Sequence, residues 1–136
     1  MPFSTSTDVP EIHTFRAHPS ALYEIRQFIR QRATVAAFSE QTTNDVLLAV
    51  SEACANSIVH TASPEIALTW KTTGDCVEIL IKDQGIFKKR VRMPELEGQG
   101  GHGIPLMMAL VDEMTIREGT PNHPGTLVRL VKCRGI

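Results

Sequence analysis

The chain reads as a single α+β domain, a two-layer sandwich of one mixed or antiparallel sheet with helices on one face. Three observations point there. The length, 136 residues, suits one core and not two. Two stretches of helical period precede two stretches of strand period. A glycine-rich segment then leads into a third helical stretch and two last strands. The order β-α-α-β-β-loop-α-β-β is that of helices layered on a sheet.

Residues 11–17 form the candidate first strand, since Ile12, Thr14 and Arg16 alternate with His13 and Phe15. Leu22, Ile25, Phe28, Ile29, Ala33 and Ala36 recur at threes and fours, which predicts an amphipathic helix over 19–38. Residues 39–44 read as a polar break, with Thr43 or Asn44 capping a second helix that reaches about Thr61. Pro64 follows. Ile66, Leu68 and Trp70 then alternate with Glu65, Thr69 and Lys71, and Val77, Ile79 and Ile81 alternate with Glu78 and Lys82. Gly74-Asp75 between these runs predicts an antiparallel hairpin. Residues 86–102 show no period and read as a mobile loop. Residues 103–114 predict a third helix, with Pro105 in its first turn, where a missing N–H costs nothing. Residues 115–118 and Thr126–Cys133 read as the last strands, around a turn of Pro, Asn, His and Gly.

Composition excludes several classes. A hydrophobic fraction of 42% with 21% charged residues is that of a globular protein rather than a disordered one. The net charge of −1 argues against a general binder of nucleic acid or anionic membrane. Three scattered cysteines (Cys54, Cys76, Cys133) argue against a disulfide scaffold and for a reducing cytoplasm. Apolar runs fall short of the ~20 residues that span a bilayer. Residues 1–10 are polar, lack a signal core and read as a loose tail before a domain over 11–136.

Three polar features do not fit a plain core. Apolar residues from Val46 to Val59 surround nearly the whole second helix, which predicts burial all round. Yet Asp45, Glu52, Asn56 and His60 stand on it, and their offsets of 7, 4 and 4 confine them to a stripe on the order of 80° wide. Such a seam is either a solvated edge or a face turned to a wet pocket, because an unpaired carboxylate in a core is costly. Asp83 shares strand parity with Val77, Ile79 and Ile81, so it points toward the core from the strand's end and needs a donor. Gly85 beyond it permits a close backbone approach, although Asp-x-Gly is also common turn chemistry. Last, Gly98-Gln99-Gly100-Gly101-His102-Gly103 runs directly into a helix. Free N–H groups and the helix dipole there suit a phosphate, a bare hinge being the other reading. Gly98, Gly100 and Gly103 match the spacing of a dinucleotide fingerprint, but that fingerprint follows a core strand, and residues 92–97 do not form one. A Walker A loop is excluded because no Lys-Ser/Thr follows.

Taken in order, Glu52-x-x-x-Asn56, Asp83-x-Gly85 and Gly101-x-Gly103 resemble the N, G1 and G2 boxes of the GHKL ATPase superfamily, which covers gyrase, Hsp90, histidine kinases and MutL. Within it the chain is similar to the small bacterial anti-sigma-factor serine kinases. SEACANSIVHTA resembles their N-box helix, IKDQG their strand into the adenine site, GGHGIPLMMALVDEM their phosphate-loop helix, and Gly125-Thr126 their terminal Gly-Thr. The resemblance implies a histidine-kinase-like ATP-binding fold that takes ATP with Mg2+. Asn56 would supply a side-chain oxygen to Mg2+, and Glu52 would act as general base. Asp83 would accept from the adenine amino group and reject guanine, which offers a carbonyl there. Gly85 would admit the base plane, and Thr126 would help hold the adenine edge. Gly101 and Gly103 would aim backbone N–H groups at the phosphates, with His102 and Ile104 beside them. Lys88, Lys89, Arg90 and Arg92 are either solvated charges or, in a lid, phosphate contacts.

The function implied is an anti-sigma factor with protein serine kinase activity. Its partners would be a sigma factor, an anti-sigma-factor antagonist that carries the acceptor serine, and a second copy of the chain, in the bacterial cytoplasm. The alternative is a catalytically silent module whose ATP state gates partner binding. A detached histidine-kinase catalytic domain fails because His13 and His18 leave no room for a phosphoacceptor hairpin. The five histidines and three cysteines lack zinc-ligand spacing. Arg26, Arg30 and Arg32 on the first helix form either a solvated face or a basic surface for an acidic sigma-factor segment. Two departures bear on the lid. Ile86-Phe87 stand where many superfamily members have a second G1 glycine, and Ile104-Pro105 begin the third helix.

Overall fold

Side-chain alternation builds one sheet with a dry face and an open face. The computed structural model describes residues 9–60, 63–84, 103–118, 122 and 125–134, without the side chains of residues 60 and 103–106. Strands β1 (Glu11–Arg16), β2 (Glu65–Thr73), β3 (Cys76–Asp83), β4 (Glu113–Arg117) and β5 (Thr126–Cys133) accompany helices α1 (Ala21–Val35), α2 (Glu40–His60) and α3 (Gly103–Leu110). Their sequence is the expected one, β1-α1-α2-β2-β3-α3-β4-β5. The sheet order is β1-β2-β3-β5-β4, and every neighbouring pair is antiparallel. Of the mixed and antiparallel sheets expected, the antiparallel one forms. β3 and β4 do run the same way, but β5 fills the slot between them and opposes both.

The hairpin joining β2 to β3 turns at Gly74, whose φ of +60° suits the first position of a two-residue turn. That turn fixes the register, and the register sends Ile66, Leu68, Trp70, Val77, Ile79 and Ile81 inward, none more than 4% exposed. Val128 and Leu130 of β5 extend this face. Ile25, Phe28 and Ile29 of α1, Val46 and Val50 of α2 and Met107 of α3 cover it. The opposite face is more polar, with Arg129 donating to Glu78 and, at 3.0 Å, to Glu113.

Several expectations are corrected. The second helix begins at Glu40, so Thr43 and Asn44 lie inside it, not at its cap. Ser39 holds the cap position: its Oγ accepts from the Thr42 amide at 3.1 Å, and its carbonyl accepts from Thr43 at 2.9 Å. The polar run 39–44 is thus the cap and first turn of α2, exposed except at the half-buried Thr42 and the buried Thr43, and it shortens the loop after α1. Nor is α2 buried all round, since Leu48 is 45% and Val59 66% exposed. α3 stops at Leu110, and Met114 belongs to β4, because Asp112 turns the chain by donating its amide to the Val131 carbonyl. The cysteines do form a disulfide, Cys76–Cys133. The two residues stand opposite each other in the β3–β5 register, a pairing that a separation of 57 residues conceals. Cys54 is buried and free. Among the described residues no helix is long and apolar enough to cross a membrane. Most of the expected tail, residues 1–8, lies outside the described residues.

Replacing Ser39 with Ala removes the acceptor of an orphan helix amide. Thermal unfolding of Ser39→Ala is expected to show a loss of about 1 kcal/mol, a fall in Tm of roughly 3 °C. An unchanged Tm would place the cap elsewhere.

Candidate functional site

At the end of β3, strand parity does what the sequence pattern requires. Asp83 follows Val77, Ile79 and Ile81 onto the covered face and is 1% exposed. A carboxylate so deep must be hydrogen-bonded. Ser57 Oγ on α2 donates to its Oδ2, and the Thr126 amide at the start of β5 donates to its Oδ1 at 3.3 Å. Three elements therefore converge on one acid. The register pairs Asp83 with Thr126 directly, so the conjunction is a property of the ladder.

Gly125 makes the approach possible. Its φ of +117° is one that L side chains rarely adopt, and a Cβ there would stand 3.1 Å from the Asp83 carbonyl oxygen. Thr126 is 3% exposed, and its Oγ1 has no hydrogen-bond partner among the described residues. An orphaned buried hydroxyl beside a buried carboxylate suits a polar ligand edge with both donor and acceptor atoms. The adenine edge of ATP is of that kind, so these residues fit the base. Behind Asp83, the Gln84 amide donates to Ser63 Oγ at 3.0 Å, and that hydroxyl donates to the Glu65 carbonyl at 2.6 Å. The backbone that leaves the site is thereby pinned to the start of β2.

The polar seam of α2 lies at the border between its exposed stripe and its covered face. Glu52 and Asn56 are half-buried. Asp45, at the seam's other end, faces Lys132 of β5 at 3.5 Å, and Lys132 donates to the Leu110 carbonyl at 2.8 Å. This clamp sets the start of α2 beside the end of α3. The seam is neither free solvated edge nor core.

The structure brings together Asp83 and Thr126 from the expected residues and sets Glu52 and Asn56 on the adjoining helix. Gly103 and Ile104 open α3, as expected. Gly85, Gly101, His102 and the lid cations Lys88, Lys89, Arg90 and Arg92 lie outside the described residues, as do His123 and the side chain of His60. Sequence reasoning missed Ser57 and Ser63. Ser57 carried a signal, since it is a hydroxyl next to Asn56 within an apolar run. Two of the three α1 arginines are engaged within the chain. Arg26 Nε donates to Ser51 at 3.0 Å, while Arg32 pairs with Glu11 and stacks 5.1 Å over Phe28.

A five-stranded antiparallel sheet covered by helices, with a buried acid at the end of its central strand, defines an α+β sandwich class. A family model described as the histidine kinase-like ATPase domain matches residues 15–132, and the chain belongs to that family. Among curated proteins, serine-protein kinase RsbW of Bacillus subtilis (strain 168) is 26% identical in an alignment of 132 positions that covers 85% of this chain and 80% of that one. Among solved structures, that of the RsbU and RsbW domains of Rv1364c from Mycobacterium tuberculosis superposes with a TM-score of 0.72 at 22% identity. The match covers 92% of this chain and 32% of that longer one. The histidine kinase domain of a blue-light-activated kinase from Erythrobacter litoralis gives 0.55 at 18% identity, over 85% of this chain and 60% of that one.

Ser57→Ala takes one donor from a buried carboxylate. Urea unfolding is expected to show a loss of about 1–3 kcal/mol. Gly125→Ala, which forces both a rare φ and a close contact, is expected to lose a comparable amount. Full stability in both variants would mean that Asp83 is not held as described.

Proposed function

We propose that the chain is an anti-sigma factor with ATP-dependent protein serine kinase activity. The observation that carries this reading is the Asp83–Thr126 pair, a buried carboxylate beside an orphaned buried hydroxyl under the helix that bears Glu52 and Asn56. The likeness to serine-protein kinase RsbW supports the reaction class.

In this reading Asp83 accepts from the exocyclic amine of adenine, and Ser57 and the Thr126 amide hold its two oxygens for that task. Thr126 Oγ1 completes its hydrogen bonding at the same edge. Asn56 and Glu52 stand one turn apart on α2. Asn56 would hold Mg2+ through its amide oxygen, and the ion would supply positive charge to the phosphates. Glu52 takes the proton from the incoming serine hydroxyl. Gly101, His102, Gly103 and Ile104 would serve the phosphates, since N-terminal helix amides favour negative charge. Gly85 admits the base. Most of the rate enhancement then comes from positioning and charge stabilisation rather than covalent chemistry. The phosphate goes to a serine of an anti-sigma-factor antagonist, whose added charge weakens its contact. The sigma factor is the competing partner, a second copy of the chain completes the assembly, and the compartment is the bacterial cytoplasm.

Calorimetric titration with Mg-ATP tests the pocket. Asp83→Asn is expected to bind more weakly, on the order of 100-fold, and Mg-GTP is expected not to bind the parent. Equal affinity of parent and variant would remove the adenine assignment. Incubation with ATP and an antagonist tests the chemistry. Glu52→Ala should bind nucleotide like the parent and transfer phosphate roughly 10²–10⁴-fold more slowly. Binding without any transfer by the parent would leave the silent, ATP-gated module instead.

A further inference from the structure

The end of β5 remote from Thr126 gathers many ties. Lys132 reaches both Asp45 and the Leu110 carbonyl. The Cys133 amide donates to Asp112 Oδ2 at 2.7 Å. Arg134 donates to Asp75 twice, by side chain at 2.6 Å and by amide at 2.8 Å. Cys133 is bonded to Cys76 across the ladder. Residues 131–134 thus hold the last carbonyl of α3, the corner into β4 and the β2–β3 turn. Among the described residues the disulfide is the one covalent tie at this junction, and the 57-residue span that it closes contains α3, β4 and the glycine segment.

We propose that Cys76–Cys133 is a reversible dithiol–disulfide site, served by a cellular dithiol reductant, whose oxidation state sets how firmly α3 is anchored. Both residues are half-buried and project from the sheet face opposite the helices, where an attacking thiolate can approach. Cys54 does not compete: it is fully buried in α2, and burial pushes its thiol up to about 12. In the reaction, a thiolate of the reductant attacks one sulfur, breaks the Cys76–Cys133 bond and forms a mixed disulfide. The reductant's second thiol then displaces the remaining protein thiolate. Two electrons and two protons end on Cys76 and Cys133, and the reductant leaves as a disulfide. With the bond open, the junction keeps its hydrogen bonds but loses its covalent brace. α3 is a rod of about 12 Å held at Leu110, so slack there reaches the helix start at Gly103. The proposal rests on the kinase reading in one respect, since a sigma-factor partner implies a reducing compartment, where disulfides are transient and sensing.

The full chain, oxidised and then equilibrated with dithiothreitol, is followed by alkylation mass spectrometry, thermal unfolding and amide hydrogen exchange. Cys76 and Cys133 are expected to become alkylatable together while Cys54 stays protected. Tm should fall by roughly 10 °C, and exchange in α3 should quicken by on the order of tenfold. The double variant Cys76→Ser/Cys133→Ser should match the reduced parent under either condition. The proposal is overturned if the two thiols stay alkylatable after oxidation, or if the bond resists dithiol in the folded chain. It is equally overturned if reduced and oxidised protein share one Tm and one α3 exchange rate. These readouts use no nucleotide, so they stand apart from the kinase tests above.

Discussion

One buried charge organises the molecule. Asp83 sits at the end of a strand whose other inward residues are aliphatic, and a carboxylate there is tolerable only where donors converge. Those donors come from chain segments far apart, Ser57 on α2 and the amide of Thr126 on β5. Meeting them requires that α2 cross the end of β3 and that β5, not β4, lie beside β3. The sheet order β1-β2-β3-β5-β4 and the left-handed glycine at position 125 follow from the same requirement.

The sequence made the hairpin, the covered face and Asp83 legible because alternation and parity are local properties of a strand. Glu52 and Asn56 were legible as a stripe because helical angles add up along one element. What the sequence hid depends on which strand sits next to which. Cys76 and Cys133 look unrelated until β5 enters beside β3. Ser57 looks like a small residue tolerated in an apolar helix until the end of β3 arrives beneath it. The start of α2 was misjudged for another reason. Residues 40, 41 and 44 are polar because they face water, and polarity at an exposed helix start is indistinguishable by composition from a loop. Likewise Met114 continued the apolar run of α3, and the Asp112 corner that ends it is made by the distant carbonyl of Val131.

The β3–β5 ladder has two ends with different chemistry. One end pairs Asp83 with Thr126, buried and polar. The other pairs Cys76 with Cys133 on the open face and ties the strand to α3 through Lys132 and Asp112. Between them Ile79 with Leu130 and Ile81 with Val128 form a dry, rigid middle. The exposed Arg129 pairs on the other face add little to that rigidity, since solvent screens them.

The position of β5 also bears on synthesis. A ribosome delivers β3 well before its neighbour β5, at a sequence separation of 43 residues from Asp83 to Thr126. At about 5–20 residues per second this leaves roughly 2–9 s in which β3 presents an unpaired edge to the cell. During that interval the nascent chain offers a template for strand addition by other polypeptides, and Asp83 still lacks its donor on β5. Chaperone dependence should therefore concentrate while the segment between β3 and β5 is translated, and stop codons there should yield aggregates rather than weakly folded protein.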